Sequence, residues 1–399
     1  MSEIKRIIHI IETRSTERDF RRFGIRNLQD NGFTVEVWNI LPISHPEVFS
    51  LGITVPEFNF PEHRLFVCGD DVKDAITHLP AHTFVNCFFG YSWKTLFIFR
   101  VLSQRRIPYG IFTANTVPIP ESWQKTATPR EFLLRMRMLG FRRVLDHAMN
   151  HLILKYFRWF GIRPATICLA GGEASLSKVQ YPFDHTTRIL WIHSMDYDIY
   201  LKVRSQKRES DSSLAVFLDD NLIYDLEYVY FGESPPSSPE EYYGKLNRFF
   251  DTVERTLGVK IQVAAHPGSR YEDGAGIFGG RSILRDGTAE LVQRSGIVIA
   301  HGSTAVSYAV LFHKPVIFIT DNRIREHHHG PYVERIAALL GKKPINLDGE
   351  IHLDASDARG INSEAYRSYR NAYIKREGSP DLPFWQIFSD HIKLNFPIQ

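Results

Sequence analysis

Two short apolar runs that each stop at a histidine constrain this chain more than any other feature. Ile261 to Ala265 leads into His266-Pro267-Gly268-Ser269, and Gly296 to Ala300 leads into His301-Gly302-Ser303-Thr304. Both runs are rich in β-branched residues and bounded by turn residues, which predicts buried parallel strands. Thr304 to Phe312 is apolar enough for a buried helix, and Lys314-Pro315 stops it before a third strand, Val316 to Thr320. The sum is a βαβ unit. Ligands of open parallel sheets bind beyond the carboxyl ends of the strands, so His301, Gly302, Ser303 and Thr304 are expected to form an anion site at a helix N-terminus. The plainer alternative is that Ser303 or Thr304 only caps the helix.

The same grammar recurs upstream. Ile4 to Ile11, Phe33 to Ile40, His63 to Gly69, Thr83 to Phe89 and Pro108 to Thr113 read as strands, with helices over Asp19 to Asp30 and Ser92 to Gln104. The expected fold is α/β, with two Rossmann-like doubly wound domains facing a cleft. At 399 residues the chain is too long for one ordinary core. The polar stretch Ser205 to Ser213 is the natural linker. This predicts a first domain over 1–204, a second over 205–378, and a helix over 379–399 that packs back on the first.

The loop after the first strand has no GxGxxG, which argues against a dinucleotide there. Cys68, Cys87 and Cys168 are too far apart for a zinc site or a disulfide framework, and a reducing cytoplasm suits them. No apolar run is long enough to span a bilayer. A basic, amphipathic segment over 129–163 reads either as a helix pair lying on an anionic membrane surface or as an internal pair with solvated arginines. A net charge of only +3 and the lack of a recognition motif argue against nucleic acid.

Leu214 to Leu218 is a strand that runs into Asp219 and Asp220. Two neighbouring carboxylates that are partly buried cannot both ionise freely, so one of them is a candidate base. Two earlier strand ends place Glu173, His193 and Asp196 as candidate cleft or acceptor residues. The loops that follow the later strands add Pro267, Ser269, Arg270 and Thr288 to the expected phosphate-binding set, with Arg281 and Arg285 supplying positive charge. His327-His328-His329 lacks the i, i+4 spacing of helical zinc sites, so no metal is expected.

Taken together, the two βα-rich halves, FLDDN, AAHP and IAHGST resemble the GT-B glycosyltransferases. Within that group they are similar to bacterial sialyltransferases and Kdo-type transferases, and to surface-polysaccharide biosynthesis proteins. The resemblance implies a metal-independent, inverting transferase without a cofactor, using a CMP-linked sugar and a lipid-linked or glycan acceptor. It implies a cytoplasmic protein, peripheral on the inner face of the bacterial membrane. By position it makes Asp219 or Asp220 the base, His266 a donor-phosphate contact, and Ser303 with Thr304 the phosphate-binding pair. Asn221 stands where the sialyltransferase pattern commonly has glycine, which leaves the choice of aspartate open. Val306-Ser307-Tyr308-Ala309 lacks the glutamate with which many transferases hold a ribose, which places CMP-sugars ahead of UDP-sugars. The alternatives are a UDP-sugar transferase or epimerase, and a scaffold that binds a sugar nucleotide without turning it over.

Overall fold

The computed structural model describes residues 3–50, 58, 60–120, 141–206, 209–225, 228, 234–269 and 276–396. Its strands are β1 (Arg6–Ile11), β2 (Thr34–Asn39), β3 (His63–Leu65), β4 (Thr83–Phe88), β5 (Tyr109–Phe112), β6 (Ile167–Ala170), β7 (Arg188–Trp191), β8 (Asp211–Leu218), β9 (Lys260–Ala264), β10 (Ile283–Leu284), β11 (Ser295–Ala300), β12 (Val316–Thr320) and β13 (Ile345–Asn346). They form two sheets, ordered β3-β2-β1-β4-β5-β6-β7 and β10-β9-β8-β11-β12-β13. All strand pairings given for these sheets are parallel. The chain is therefore α/β, with two doubly wound Rossmann-like units.

Parallel strands covered on both faces must be apolar on both sides, and the burial follows that rule. In β8, Ala215 and Phe217 enter one core, and Leu214, Val216 and Leu218 enter the other. In β11, Ile297 and Ile299 alternate in the same way with Val298 and Ala300. In β1, Ile7 and Ile11 face one core of the first unit, and Ile8 and Ile10 face its other core.

The division of the chain departs from the sequence reading. The first unit comprises the chain up to Thr116, the stretch ending at Met195, and the C-terminal piece from Arg376; the second runs from Asp196 to Lys375 and takes in a short piece beginning at Val117. The boundary falls before the polar stretch because Tyr197 and Val203 are already buried in the second unit's core. Asp211 to Ser213 are the opening residues of β8, with Asp211 opposite Ser295. They are exposed strand rather than linker.

One local feature of the first unit has a plain cause. The helix expected over Asp19 to Asp30 is broken into Glu17–Arg22 and Ile25–Asp30 by Gly24, whose φ is +59°. A Cβ at Gly24 would lie 2.0 Å from Trp385 of the helix Phe384–Asn395. Trp385 also donates its indole N–H to the Arg22 carbonyl at 2.6 Å, and Phe384, Ile387, Phe388 and Ile392 enter the same core as Ile7 and Val35. We predict that Trp385→Ala costs about 3–5 kcal/mol, the range for deleting a buried aromatic side chain. The check is the midpoint of urea unfolding followed by a probe of the first unit; an unchanged midpoint would show that the C-terminal helix contributes little.

Candidate functional site

The second sheet reverses its winding between β8 and β11, since β9 and β10 lie to one side and β12 and β13 to the other. Such a reversal leaves a crevice at the carboxyl ends of the two strands. Register brings three loops to the same level there: Leu218 lies opposite both Ala264 and Ala300. Asp219-Asp220, His266 to Ser269 and His301 to Thr304 therefore leave adjacent strands side by side.

The two aspartates have different surroundings. Asp219 is buried, its backbone N–H donates to the Ala264 carbonyl at 3.1 Å, and its carboxylate accepts the Asn221 N–H at 3.1 Å. That bond helps hold Asn221 at φ +54°, a conformation that short polar side chains tolerate. Asp220 instead spans the crevice. Its Oδ2 accepts the Gly302 N–H at 3.0 Å, while its Oδ1 is buried without a hydrogen-bond partner among the described residues. Burial raises its pKa to about 7, with Asp219 and Asp225 also raising it and the Gly302 N–H and Ser303 hydroxyl pulling it back. A carboxyl group in that range can give or take a proton near neutrality.

A side chain at Gly302 would crowd the Tyr332 ring. A Cβ there would lie 2.8 Å from Cδ1 of Tyr332. Ser303 is partly buried and Thr304 is exposed, and the helix that follows is short, Val306–Leu311, with a turn rather than a side-chain cap at its start. The expected array of helix N–H groups is accordingly reduced: Gly302 is engaged by Asp220, and the Ala305 N–H points to Ser303 Oγ at 3.4 Å.

Other expected contacts are redistributed. His301 is a core residue: its Nδ1 donates to the Ile319 carbonyl at 2.8 Å, so its Nε2 accepts the Tyr242 hydroxyl at 3.1 Å. Burial lowers its pKa to about 4, and a neutral, internally bonded imidazole does not reach a phosphate. His266 remains at the rim, partly buried, with Nδ1 accepting the Gly268 N–H at 3.1 Å. Pro267 is exposed, and Ser269 is buried with its hydroxyl on the His266 carbonyl at 2.7 Å, so its part is to close the turn. Thr288 opens the helix Thr288–Arg294, and Arg270 lies outside the described residues. Arg281 is neutralised by Asp251 and Glu254, each at 2.6 Å. Arg285 lies against the Ser269 carbonyl at 3.3 Å.

Glu173, His193 and Asp196 do not assemble as one group within either unit. Glu173 is exposed 3.9 Å from Arg376, and His193 is buried with its ring nitrogens against the carbonyls of Ser194 and Leu382. Asp196 belongs to the second unit and accepts the Tyr308 hydroxyl at 3.2 Å.

The sequence reading missed two features. Lys245 is buried between Glu241, Asp321 and Asp348 at 2.9, 3.3 and 2.8 Å, fixing the ends of β12 and β13. A lysine on the apolar face of the helix Pro239–Leu257, between Tyr242 and Phe249, was the available signal. The other is a cavity of about 340 Å³ at the first sheet's own reversal, between β1 and β4. Phe23, Phe88, Phe112 and Tyr181 line it together with Glu12 and Arg22.

No family model and no curated protein matches the chain. Among solved structures it is similar to the glycosyltransferase SnogD from Streptomyces nogalater, at 10% identity and a TM-score of 0.47, covering 98% of this chain and 100% of that one. It is similar to MurG of Acinetobacter baumannii at 10% identity and a TM-score of 0.43, with 98% and 99% covered. The UDP-GlcNAc 2-epimerase from Methanocaldococcus jannaschii gives 10% identity and a TM-score of 0.44, with 97% and 99% covered. Similarity at this level does not extend to activity or ligand. The two doubly wound units agree with the GT-B type of architecture; the sialyltransferase and Kdo-type resemblance goes beyond that.

The raised pKa of Asp220 makes a prediction with a definite sign. Between about pH 4 and pH 7 the folded protein holds a proton that the unfolded chain has released, so this group's contribution to stability falls as pH rises through that window. Asp220→Asn lacks the titration but keeps an oxygen for the Gly302 N–H. Its melting temperature should exceed that of the wild type at pH 8, with the gap closing toward pH 4. A variant less stable than the wild type at every pH would contradict the assignment.

Proposed function

We propose that the protein is a glycosyltransferase of bacterial surface-polysaccharide biosynthesis, with a nucleotide-sugar donor held at the β8/β11 crevice and Asp220 as the general base. One observation carries the reading: a carboxyl group poised near neutrality stands at the reversal of a doubly wound sheet, with Oδ1 buried and unbonded beside a glycine-serine loop. Inverting transfer needs a base to take the acceptor hydroxyl's proton as the nucleotide leaves, and donors for the charge that develops on its phosphate. Ser303, Thr304 and His266 supply those donors at the crevice. The acceptor, a lipid-linked or growing glycan, is assigned to the first unit's cavity. Aromatic faces flanked by an acid and a guanidinium suit a sugar ring.

The donor is proposed to be CMP-linked. No acidic residue stands in the first turn of the helix Val306–Leu311 to hold a ribose in the manner of many UDP-sugar enzymes. The chemical step is assigned no metal. A UDP-sugar transferase or epimerase is the enzymatic rival, and a non-catalytic scaffold is the rival from another class.

A second, localising role is favoured by the helix Phe141–Lys155. Leu145, Met149 and Leu152 recur at helical spacing and are each 42–51% exposed, and Trp159 just beyond is 86% exposed. We propose that this face rests on an anionic membrane surface, with the basic residues around it; much of that basic segment, 129–140, lies outside the described residues. Among the described residues no helix is long and apolar enough to cross a membrane.

The donor and the base are tested together. A melting panel of CMP, UDP, GDP and dTDP should show a shift with CMP, since a ligand at ~100 times its Kd adds about 2.7 kcal/mol. With a turned-over donor, kcat/KM should rise with pH through about 7. Asp220→Asn should lower turnover by roughly 10² to 10⁴ while keeping nucleotide binding. A shift with UDP alone overturns the donor assignment, and full activity in Asp220→Asn overturns the base.

For the membrane face, sedimentation with anionic vesicles should be strong in low salt and weak in high salt. The double variant Leu145→Glu, Met149→Glu should reduce it; equal recovery with neutral and anionic vesicles would remove this role.

A further inference from the structure

Three imidazoles unused by the transfer step converge where the helix Asn322–Glu326 gives way to the helix His329–Leu339. One nitrogen from each of His327, His328 and His329 lies within 4.8 Å of the others, and all three residues are partly buried. Their ring centroids are 4.2, 5.2 and 4.0 Å apart, and the Tyr228 ring stands nearly edge-on to all three. The spacing of a single helical face, by which the sequence argued against a metal, does not apply here. His327 is extended, with φ −78° and ψ 162°, so the run turns through a corner and brings the side chains together.

Two details point to a cation. His327 Nε2 faces the Ser234 carbonyl at 3.1 Å; a carbonyl only accepts, so Nε2 carries the hydrogen and Nδ1 keeps its lone pair. Metal-bound histidines are held in this way, the far N–H donating to a carbonyl that fixes tautomer and orientation. His329 Nε2 is buried with no hydrogen-bond partner among the described residues, and a buried ring nitrogen without one calls for an explanation.

We propose that His327, His328 and His329 form a binding site for a late first-row divalent cation such as zinc, with His327 ligating through Nδ1 and His329 through Nε2. Zn–N bonds of about 2.0–2.1 Å put tetrahedral nitrogens about 3.4 Å apart, so ring rotations have at most about 1.4 Å to close from 4.8 Å. An all-nitrogen set disfavours magnesium and calcium, which take oxygen. Three protein ligands leave a fourth position for water. Through His327 the ion would tie Ser234 to the start of the helix His329–Leu339, whose Tyr332 packs against Gly302. The site is independent of the transferase reading and takes no part in its chemical step.

The test uses the full chain without a polyhistidine tag, stripped of metal and titrated with Zn²⁺ by calorimetry and with Co²⁺ by visible absorption. One saturable equivalent is expected, together with a Co²⁺ ligand-field band and no displacement by excess Mg²⁺. His327→Gln and His329→Gln should each weaken binding by about tenfold or more, with metal-free melting temperatures close to that of the wild type. Absence of stoichiometric uptake, or uptake unchanged in both variants and so belonging to others of the 17 histidines, overturns the proposal. Should a variant fail to fold, the wild-type spectrum decides: no imidazole-type Co²⁺ band overturns the site. Nucleotide-induced melting shifts measured in chelator read the transferase proposal separately.

Discussion

The hydrogen bond from the Gly302 N–H to the Asp220 carboxyl group, 3.0 Å long, is the contact on which the second unit's crevice depends. It joins the ends of two strands that are neighbours in the sheet but far apart in the chain. It requires a glycine, because Tyr332 occupies the space where a Cβ would stand. It also holds Asp220 in a place where solvent cannot fully support its charge, and a group so placed shifts its pKa instead.

The first unit carries the same device. Glu12 follows β1, and its Oε1 accepts the Gly90 N–H at 2.8 Å, two residues past the end of β4. Gly302 likewise stands two residues past the end of β11. In both sheets an acidic side chain bridges the winding reversal by binding a glycine N–H on the strand beyond it. The environments then diverge. Glu12 has a second partner, with His45 at 3.5 Å from its other oxygen and a raised histidine pKa. Among the described residues Asp220 has no such cation, which is why the proposal places proton transfer in the second unit and recognition in the first.

Most of the strand pattern was legible because buried parallel strands are continuous apolar runs, as in β1, β4, β6, β8, β11 and β12, while the more exposed β3 and β7 were read from short runs bounded by turn residues. The two-residue strands β10 and β13 were not, since two residues carry no period. The helix Pro239–Leu257 announced itself with Pro239 at its start and Gly258, at φ +65°, at its end. The sequence reading ran one helix through Gly24, and the packing of Trp385 there, more than 360 residues away in the chain, was not legible. At the site, the aspartate pair and the glycine-serine loop were readable as strand-end residues. That His301 turns inward to Tyr242 was not, because nothing in a His-Gly-Ser-Thr string says which way its first side chain points.

The acids at the carboxyl ends of the second sheet show how one fold sorts like groups into different tasks. Asp348, after β13, and Asp321, after β12, both meet Lys245, and Asp321 also caps the Ile324 N–H at 2.7 Å. An ion group closed on itself in this way is costly to break and has little capacity left for a ligand. Asp219 is committed to its own loop through the Asn221 N–H. The influences on Asp220 are burial, one backbone N–H, a serine hydroxyl and two further carboxylates, with no cation among them. Replacing such a group by a neutral one should favour the folded state at high pH, so stability does not account for its presence. Among the described residues Asp220 is thus the acid at this sheet's reversal that is left without a cation, beside others that are paired, and the proposed role as base rests on that contrast.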